Sequence, residues 1–304
     1  SAEPMREFYA ALEDRFRRHP DKVGWGQRDV PELFPPETVR RCRRSLDRAA
    51  RMATKPITHQ RVKLIDMGFR YFESYLACRR IEREGGDWRE FDREYKRCWS
   101  LIKEMNAFYP DAILEISATQ GLEEGLGNVA ARRFARELGF VTEWMLIGPF
   151  DNTNMKGHGR EYPPERDHDF SAVYTGKSGD VRWRKYRSPH DSGYINLVNV
   201  FAPKDWVTAY AYVVIESPED MDVEIRCGSN DSLKLWVAGT LVHEYPGERT
   251  ARVDEDIVPV RLRKGRTPIL LKVSQTEANW GFYFRLTDAR GEALTQPNVR
   301  LVLR

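Results

Sequence analysis

Apolar residues in the first part of the chain recur at spacings of three and four. Val39, Cys42, Leu46, Ala49 and Ala53 fall on one face of a helix running from Pro36 to about Thr54. Val62, Ile65, Phe69, Phe72 and Leu76 repeat as 3-4-3-4, the seam of a packed bundle, on a long helix from near Thr58 that Gly85-Gly86 stops. Asp87 caps a further helix striped by Trp88, Phe91, Tyr95, Cys98, Ile102 and Met105. A first helix runs from Pro4 to about Arg18 and ends at His19-Pro20, and a shorter one runs from Asn128 to Gly139.

At Phe140 the period shortens to two. Thr142–Ile147 reads as a strand closed by Gly148-Pro149, and a loop-rich stretch follows to about Lys204. Strands are then predicted at Val207–Ile215, Met221–Cys227, Ser232–Val237, Thr240–Glu244, Asp256–Arg263, Ile269–Ser274, Gly281–Leu286 and Val299–Leu303. Trp144 and Trp236 are assigned to the core. The pattern predicts an α+β multidomain chain: an α-helical bundle over residues 1–140, then an antiparallel, jelly-roll-like β-sandwich over 141–304. A length of 304 residues also exceeds what one core usually organises.

Charge narrows the function. The 49 Lys and Arg are interleaved with 46 Asp and Glu, for a net charge of +3, so no concentrated basic face points to nucleic acid. No apolar run approaches the roughly 20 residues that span a bilayer. Ser1-Ala2-Glu3-Pro4 leads straight into a helical pattern without signal-peptide character, which leaves the compartment of a parent protein unknown. Cys42, Cys78, Cys98 and Cys227 read as buried thiols. A Cys78–Cys98 disulfide would need a helical hairpin in which the two lie about one turn out of register.

Several motif look-alikes fail on context. Gly176-Lys177-Ser178 lacks the earlier glycine and the following helix of a phosphate loop. Gly125-Leu126-Gly127-Asn128-Val129-Ala130 lacks a preceding strand. The stretch His158–Asp169 gathers two His, four carboxylates and two Arg, from which a metal site or an acid/base pair could be built.

An ordered series of short patterns carries a resemblance. It runs Trp144-Met145-Leu146-Ile147-Gly148-Pro149-Phe150, Tyr162-Pro163-Pro164-Glu165, Val181-Arg182-Trp183, Gly228-Ser229-Asn230-Asp231-Ser232-Leu233-Lys234-Leu235-Trp236, Leu270-Leu271-Lys272-Val273 and Trp280-Gly281-Phe282-Tyr283. The series resembles the β-sandwich modules appended to bacterial glycoside hydrolases, carbohydrate-binding modules among them. Ala238 and Asn230 depart from the usual Asn and Asp of that pattern, and the second departure weakens the calcium site the resemblance would imply. The segment Glu3-Pro4-Met5-Arg6-Glu7-Phe8-Tyr9 with its long helices is similar to the region after the catalytic barrel in α-glucuronidase-like glycoside hydrolases. The resemblance implies an upstream catalytic domain in the same parent chain, from a secreted, periplasmic or cell-surface protein, with the catalytic carboxylates lying there.

The expectation is therefore a non-catalytic accessory fragment of a polysaccharide-degrading protein whose sandwich binds a polysaccharide or oligosaccharide, with no other cofactor. The alternatives are a structural brace for the barrel and a hydrolase using the His158–Asp169 loop. A sugar presents an apolar face to aromatic rings and hydroxyls to short polar side chains. Trp183, Tyr186, Tyr194 and Trp280 are the candidate stacking residues, and Asp191, Asn230, Asp231 and Asn279 the candidate hydroxyl partners.

Overall fold

The computed structural model describes residues 2–20, 30–109, 126–189, 192–295 and 299–303. The chain divides into two compact units, Ser1–Leu126 and Gly127–Arg304. The first is helical and the second is built mainly of antiparallel sheets in a sandwich-like arrangement.

The helical unit contains α1 (Ala2–Arg18), a short α2 (Val30–Leu33), α3 (Pro36–Met52), α4 (Pro56–Glu84) and α5 (Trp88–Phe108). Pro36 and Pro56 open α3 and α4, where a missing amide proton costs no helical bond. Gly85 ends α4 at a φ of 75°. Asp87 caps α5, its Oδ1 accepting from the Arg89 amide at 3.0 Å. Phe8 and Ala11 of α1 pack on Cys42 and Leu46 of α3 and on Phe69 of α4, as the stripes require. All four cysteines are buried free thiols. The Cys78 thiol donates to the Phe91 carbonyl at 3.7 Å and the Cys98 thiol to the Tyr71 carbonyl at 3.9 Å, each across the α4–α5 hairpin.

In the second unit the long sheet is formed by β4 (Arg184–Arg187), β1 (Glu143–Asp151), β6 (Val207–Ser217), β11 (Gly265–Gln275), β8 (Ser232–Val237) and β9 (Thr240–Tyr245), in that spatial order. A final strand β13 (Arg300–Val302) also pairs with β6. The second sheet runs β10 (Asp256–Leu262), β7 (Met221–Asn230), β12 (Gly281–Thr287) and β5 (Tyr194–Asn196). A hairpin of β2 (Val173–Thr175) and β3 (Asp180–Arg182) forms a separate two-stranded sheet, with Val181 packed on Ile147 and Tyr212 of the long sheet. Trp144, Leu146, Leu235, Leu271 and Val273 from the long sheet pack against Ile225, Cys227, Phe282 and Phe284 from the other. Burying apolar side chains at roughly 1.5–3 kcal/mol each is what holds the two sheets together.

Two sequence expectations shift. Residues 150–204 are not simply loop, because they supply β2 to β5. The turn at Gly176-Lys177-Ser178 joins two antiparallel strands, as expected of a false phosphate loop. Trp236 leaves the core: its neighbours Leu235 and Val237 point inward, so the alternation of the strand sends Trp236 to the outer face, where it is half-buried.

The unit boundary also moves. Helix α6 (Asn128–Arg133) belongs to the sandwich unit rather than to a helical domain ending at residue 140. Asn128 Oδ1 accepts from the Tyr283 hydroxyl, the Leu138 carbonyl accepts from Arg285 Nη1 at 3.3 Å, and the Val141 amide donates to the Phe284 carbonyl at 2.9 Å. The first two bonds reach Tyr283 and Arg285 on the outer face of the second sheet, and the third extends its edge by pairing with β12 beyond β5. The periodicity change at Phe140 marks where helix gives way to strand, not where one unit gives way to the next.

Candidate functional site

The proposed stacking residues are largely buried. Trp280 has no exposed surface; its ring packs on Phe201 and its indole nitrogen donates to the Val273 carbonyl at 3.2 Å. It is a core residue and offers no face to a sugar. Trp183 is 7% exposed, wedged among Phe170, Tyr212 and Ile147 on the outer face of the long sheet. Tyr186 packs half-buried against the inter-sheet core. The Tyr194 ring packs tilted against Tyr283, centroids 4.9 Å apart, and closes over Gly281, where a Cβ would strike its hydroxyl, and burial pushes its phenol up to about 12. The common cause is that an aromatic at a strand position in a sandwich usually has another element packed on it.

The polar candidates fare differently. Asp191 lies outside the described residues. Asn230 is 8% exposed with its Oδ1 unpaired. Asp231, equally buried, accepts through Oδ2 from both the amide and the hydroxyl of Thr276, at 2.9 and 3.0 Å. Asn279 is exposed. One orphaned amide oxygen and one engaged carboxylate do not make the six to eight oxygen ligands of calcium. Among the described residues no group of three or more His, Cys, Asp or Glu is placed to hold a metal.

Asn230, Asp231 and Asn279 do converge on one end of the sandwich, where β1, β7 and β11 finish and β6, β8 and β12 begin. The centre of that end is a residue the patterning did not single out, Trp206. It is half-buried and its backbone has a φ of 54°, which bulky residues rarely adopt. Its amide donates to the Thr276 carbonyl at 2.6 Å. Its carbonyl accepts from the Asn152 amide at 2.8 Å and from Lys177 Nζ at 2.5 Å. Its indole N–H donates to Glu277 at 3.3 Å. Surroundings that over-determine a strained backbone hold it in place. Asp231 acts one step back, by fixing the Thr276 that holds Trp206. Exposed Glu277, Ala278 and Asn279 form the turn beside the ring. The signal available in the sequence was Trp206 directly after Pro203-Lys204-Asp205, a turn cluster at the mouth of a strand.

The His158–Asp169 segment is an anchor strapped across the outer face of the long sheet. Lys272, in the middle of β11, has no exposed surface. It donates to Glu165 Oε1 at 2.7 Å and to the Arg160 carbonyl at 2.6 Å, between the rings of Tyr162 and Tyr210. Burial lowers the Lys272 pKa, and the Tyr210 hydroxyl donates to the same carboxylate. His158 Nε2 lies 3.0 Å from Glu244, and burial lowers its pKa, as it does that of His168. Glu161 pairs with Arg166, and Asp169 accepts from the Ser171 amide at 2.8 Å. Of the four carboxylates of the segment, Glu161 and Glu165 are thus ion-paired within the protein and Asp169 is held by its own turn. Among the described residues no helix is long and apolar enough to cross a membrane.

No protein-family profile matches the chain, and no curated protein matches it. Among solved structures, the β-glucosidase from Kluyveromyces marxianus in complex with glucose is 12% identical at a TM-score of 0.33, over 48% of this chain and 16% of that one. An anti-sigma factor domain-containing protein from Clostridium clariflavum is 16% identical at 0.28, over 55% of this chain and 48% of that one. The GH31 α-xylosidase from Xanthomonas citri is 11% identical at 0.27, over 54% of this chain and 17% of that one. The chain thus spans less than half of each of these proteins. Its distant structural neighbours include glycoside hydrolases, at a likeness too low to place a site or a substrate.

Proposed function

We propose that the chain is a non-catalytic accessory part of a polysaccharide-degrading protein, and that its sandwich binds glycan at the loop end around Trp206. The observation that carries this reading is an aromatic ring held out of the core by four hydrogen bonds, with exposed Glu277 and Asn279 beside it. Ring stacking and hydroxyl pairing of this kind give modest affinities, roughly micromolar to millimolar. Affinity electrophoresis against a panel of plant and algal polysaccharides tests it. At least one should retard the protein, and Trp206→Gly should remove the retardation.

A second reading, a structural brace, has its own observation. The outer face of the long sheet is covered by Tyr162 and Phe170, and that of the second sheet by the 128–141 segment. Neither face offers an open platform. If no polysaccharide retards the wild-type protein, bracing is the better reading. Turnover of an aryl glycoside by the pure chain, abolished by Asp167→Asn or Asp169→Asn, would overturn both.

A further inference from the structure

Strand β6 has β11 along one edge for its full length, from Val207 to Ser217. Its other edge is shared end to end, by β1 from Val207 to Tyr212 and by β13 from Val214 to Glu216. A cavity of about 600 Å³ opens beside this junction, between the start of β1, the end of β4 and β13. Its size falls in the range of small-molecule sites, roughly 300–1,000 Å³.

The walls belong to the inner faces of the sandwich. Leu286 of β12 and Val299 are core residues, and Leu294 and Leu303 pack half-buried against the same core. Leu301 stands opposite Ile215, another core residue, so its side chain shares the inner face, yet it is 38% exposed. At the start of β12 the core is closed by Trp280, fully covered and packed on Phe201. At the end of β12 it is open to solvent through this cavity, and leucines that would contribute more if fully covered are left partly wet. The polar lining residues are exposed or half-exposed and form a rim: Thr142, Thr295, Arg136 and the Glu143–Arg187 ion pair at 3.3 Å. Phe140 is the single aromatic in the lining. A sugar would find neither a broad stacking platform nor hydroxyl partners along such walls.

Aliphatic walls with a polar rim suit an amphiphile whose chain enters and whose head stays outside. We propose that this cavity binds a medium-length, unbranched acyl chain, which completes the open end of the inter-sheet core and leaves its polar head at the rim. The contact is made by Leu286, Leu294, Leu301 and Leu303, so affinity follows the apolar surface that the chain buries. A free fatty acid and an esterified chain share this chemistry. The inference does not draw on the glycan reading, and either can fail without the other.

Calorimetric titration of the full chain with hexanoate, octanoate, decanoate and monodecanoylglycerol tests it. Affinity should rise about fourfold for each added methylene, at one ligand per protein. Monodecanoylglycerol, whose head is neutral, should bind within about tenfold of decanoate, because the chain carries the affinity. Leu301→Trp fills the cavity and should weaken decanoate binding at least about tenfold while leaving the thermal midpoint unchanged or higher. A second variant reads the same site without filling it. The four native cysteines are buried free thiols, so Leu301→Cys adds one accessible thiol, whose alkylation by iodoacetamide decanoate should slow several-fold. No binding, affinity that does not grow with chain length, or uptake of many ligands per protein overturns the inference. Binding of decanoate without monodecanoylglycerol overturns the acyl-chain assignment in favour of a carboxylate site. Undiminished binding to a folded Leu301→Trp protein, or alkylation of the Leu301→Cys thiol at the same rate with and without decanoate, places the chain elsewhere and overturns it too.

Discussion

Trp206 and Lys272 show how single side chains divide between presenting a surface and holding the fold. Trp206 sits in a left-handed backbone that glycine adopts without strain. Trp206→Gly should therefore leave the thermal midpoint unchanged or higher even as it removes glycan retardation, and a fall of several degrees would mean that the ring packs rather than binds. Lys272 is the opposite case, a charge with no exposed surface held by Glu165. Lys272→Ala leaves that carboxylate unpaired and should cost about 3–5 kcal/mol in urea unfolding. The pair Lys272→Met with Glu165→Gln should recover most of that loss, because a neutral pair needs no counter-charge. Equal losses for the single and double variants would refute the ion-pair account. Neither role was legible in the sequence. Lys272 stands in an apolar strand run, Leu270-Leu271-Lys272-Val273, and only the Glu165 brought across the sheet makes its burial tolerable.

At the scale of elements, the 152–170 strap carries two imidazoles whose pKa values burial lowers, His158 and His168. Glu244, Lys234 and Lys272 surround His158, and the Tyr212 ring lies 4.9 Å from His168. Below an ordinary histidine pKa of about 6.5 the unfolded chain binds protons that the folded one resists, so stability falls as pH drops from 7 towards 5. The Glu244 carboxyl is lowered chiefly by its hydrogen bond with His158, and its contribution is lost only at more acid pH, as the carboxylate itself protonates. Thermal midpoints at pH 7 and 5 should show the fall, and His168→Asn should reduce it. An unchanged midpoint in the wild type would show that the imidazoles titrate alike in both states. Another element-scale feature is Gly228 in β7, whose absent side chain admits the Arg252 carbonyl. Gly228→Ala should displace the 246–255 loop and destabilise the sandwich by roughly 1–3 kcal/mol, read by urea unfolding.

For the whole molecule, the unit boundary has a direct test. A chain of residues 127–304 keeps the Asn128–Tyr283 and Leu138–Arg285 bonds and the buried Val129, Ala130, Leu138 and Phe140. A chain of residues 141–304 loses them all. The longer piece should be more stable by about 3 kcal/mol or more in urea, since each large apolar side chain contributes roughly 1.5–3 kcal/mol when buried. Equal stabilities would place the boundary at Phe140 after all. Helices α1 and α3 to α5 were legible because their stripes, caps and stops are local properties. The main strands from β6 onward were legible because turn residues separate them and alternation marks their inner faces. The short strands β2 to β5 were not, being only three or four residues long and polar.

The sequence by itself determined which segments are helical, where the period changes, that the sandwich follows the helices, and that Trp144 and the alternating Leu and Val residues form its core. Those features follow from the spacing of apolar residues and from glycine, proline and capping residues, which act within a few positions of themselves. Tertiary structure alone decided which aromatics are covered. Trp280 and Trp206 both stand beside strand ends, yet one packs on Phe201 and the other is turned outward by bonds to Thr276, Asn152 and Lys177. It also decided that Asp231 braces a turn, that Glu161 and Glu165 are held by Arg166 and Lys272, and that Arg184 lies over Phe201. Exposure and pairing depend on partners dozens of residues away, and the local pattern of a chain does not encode those distances.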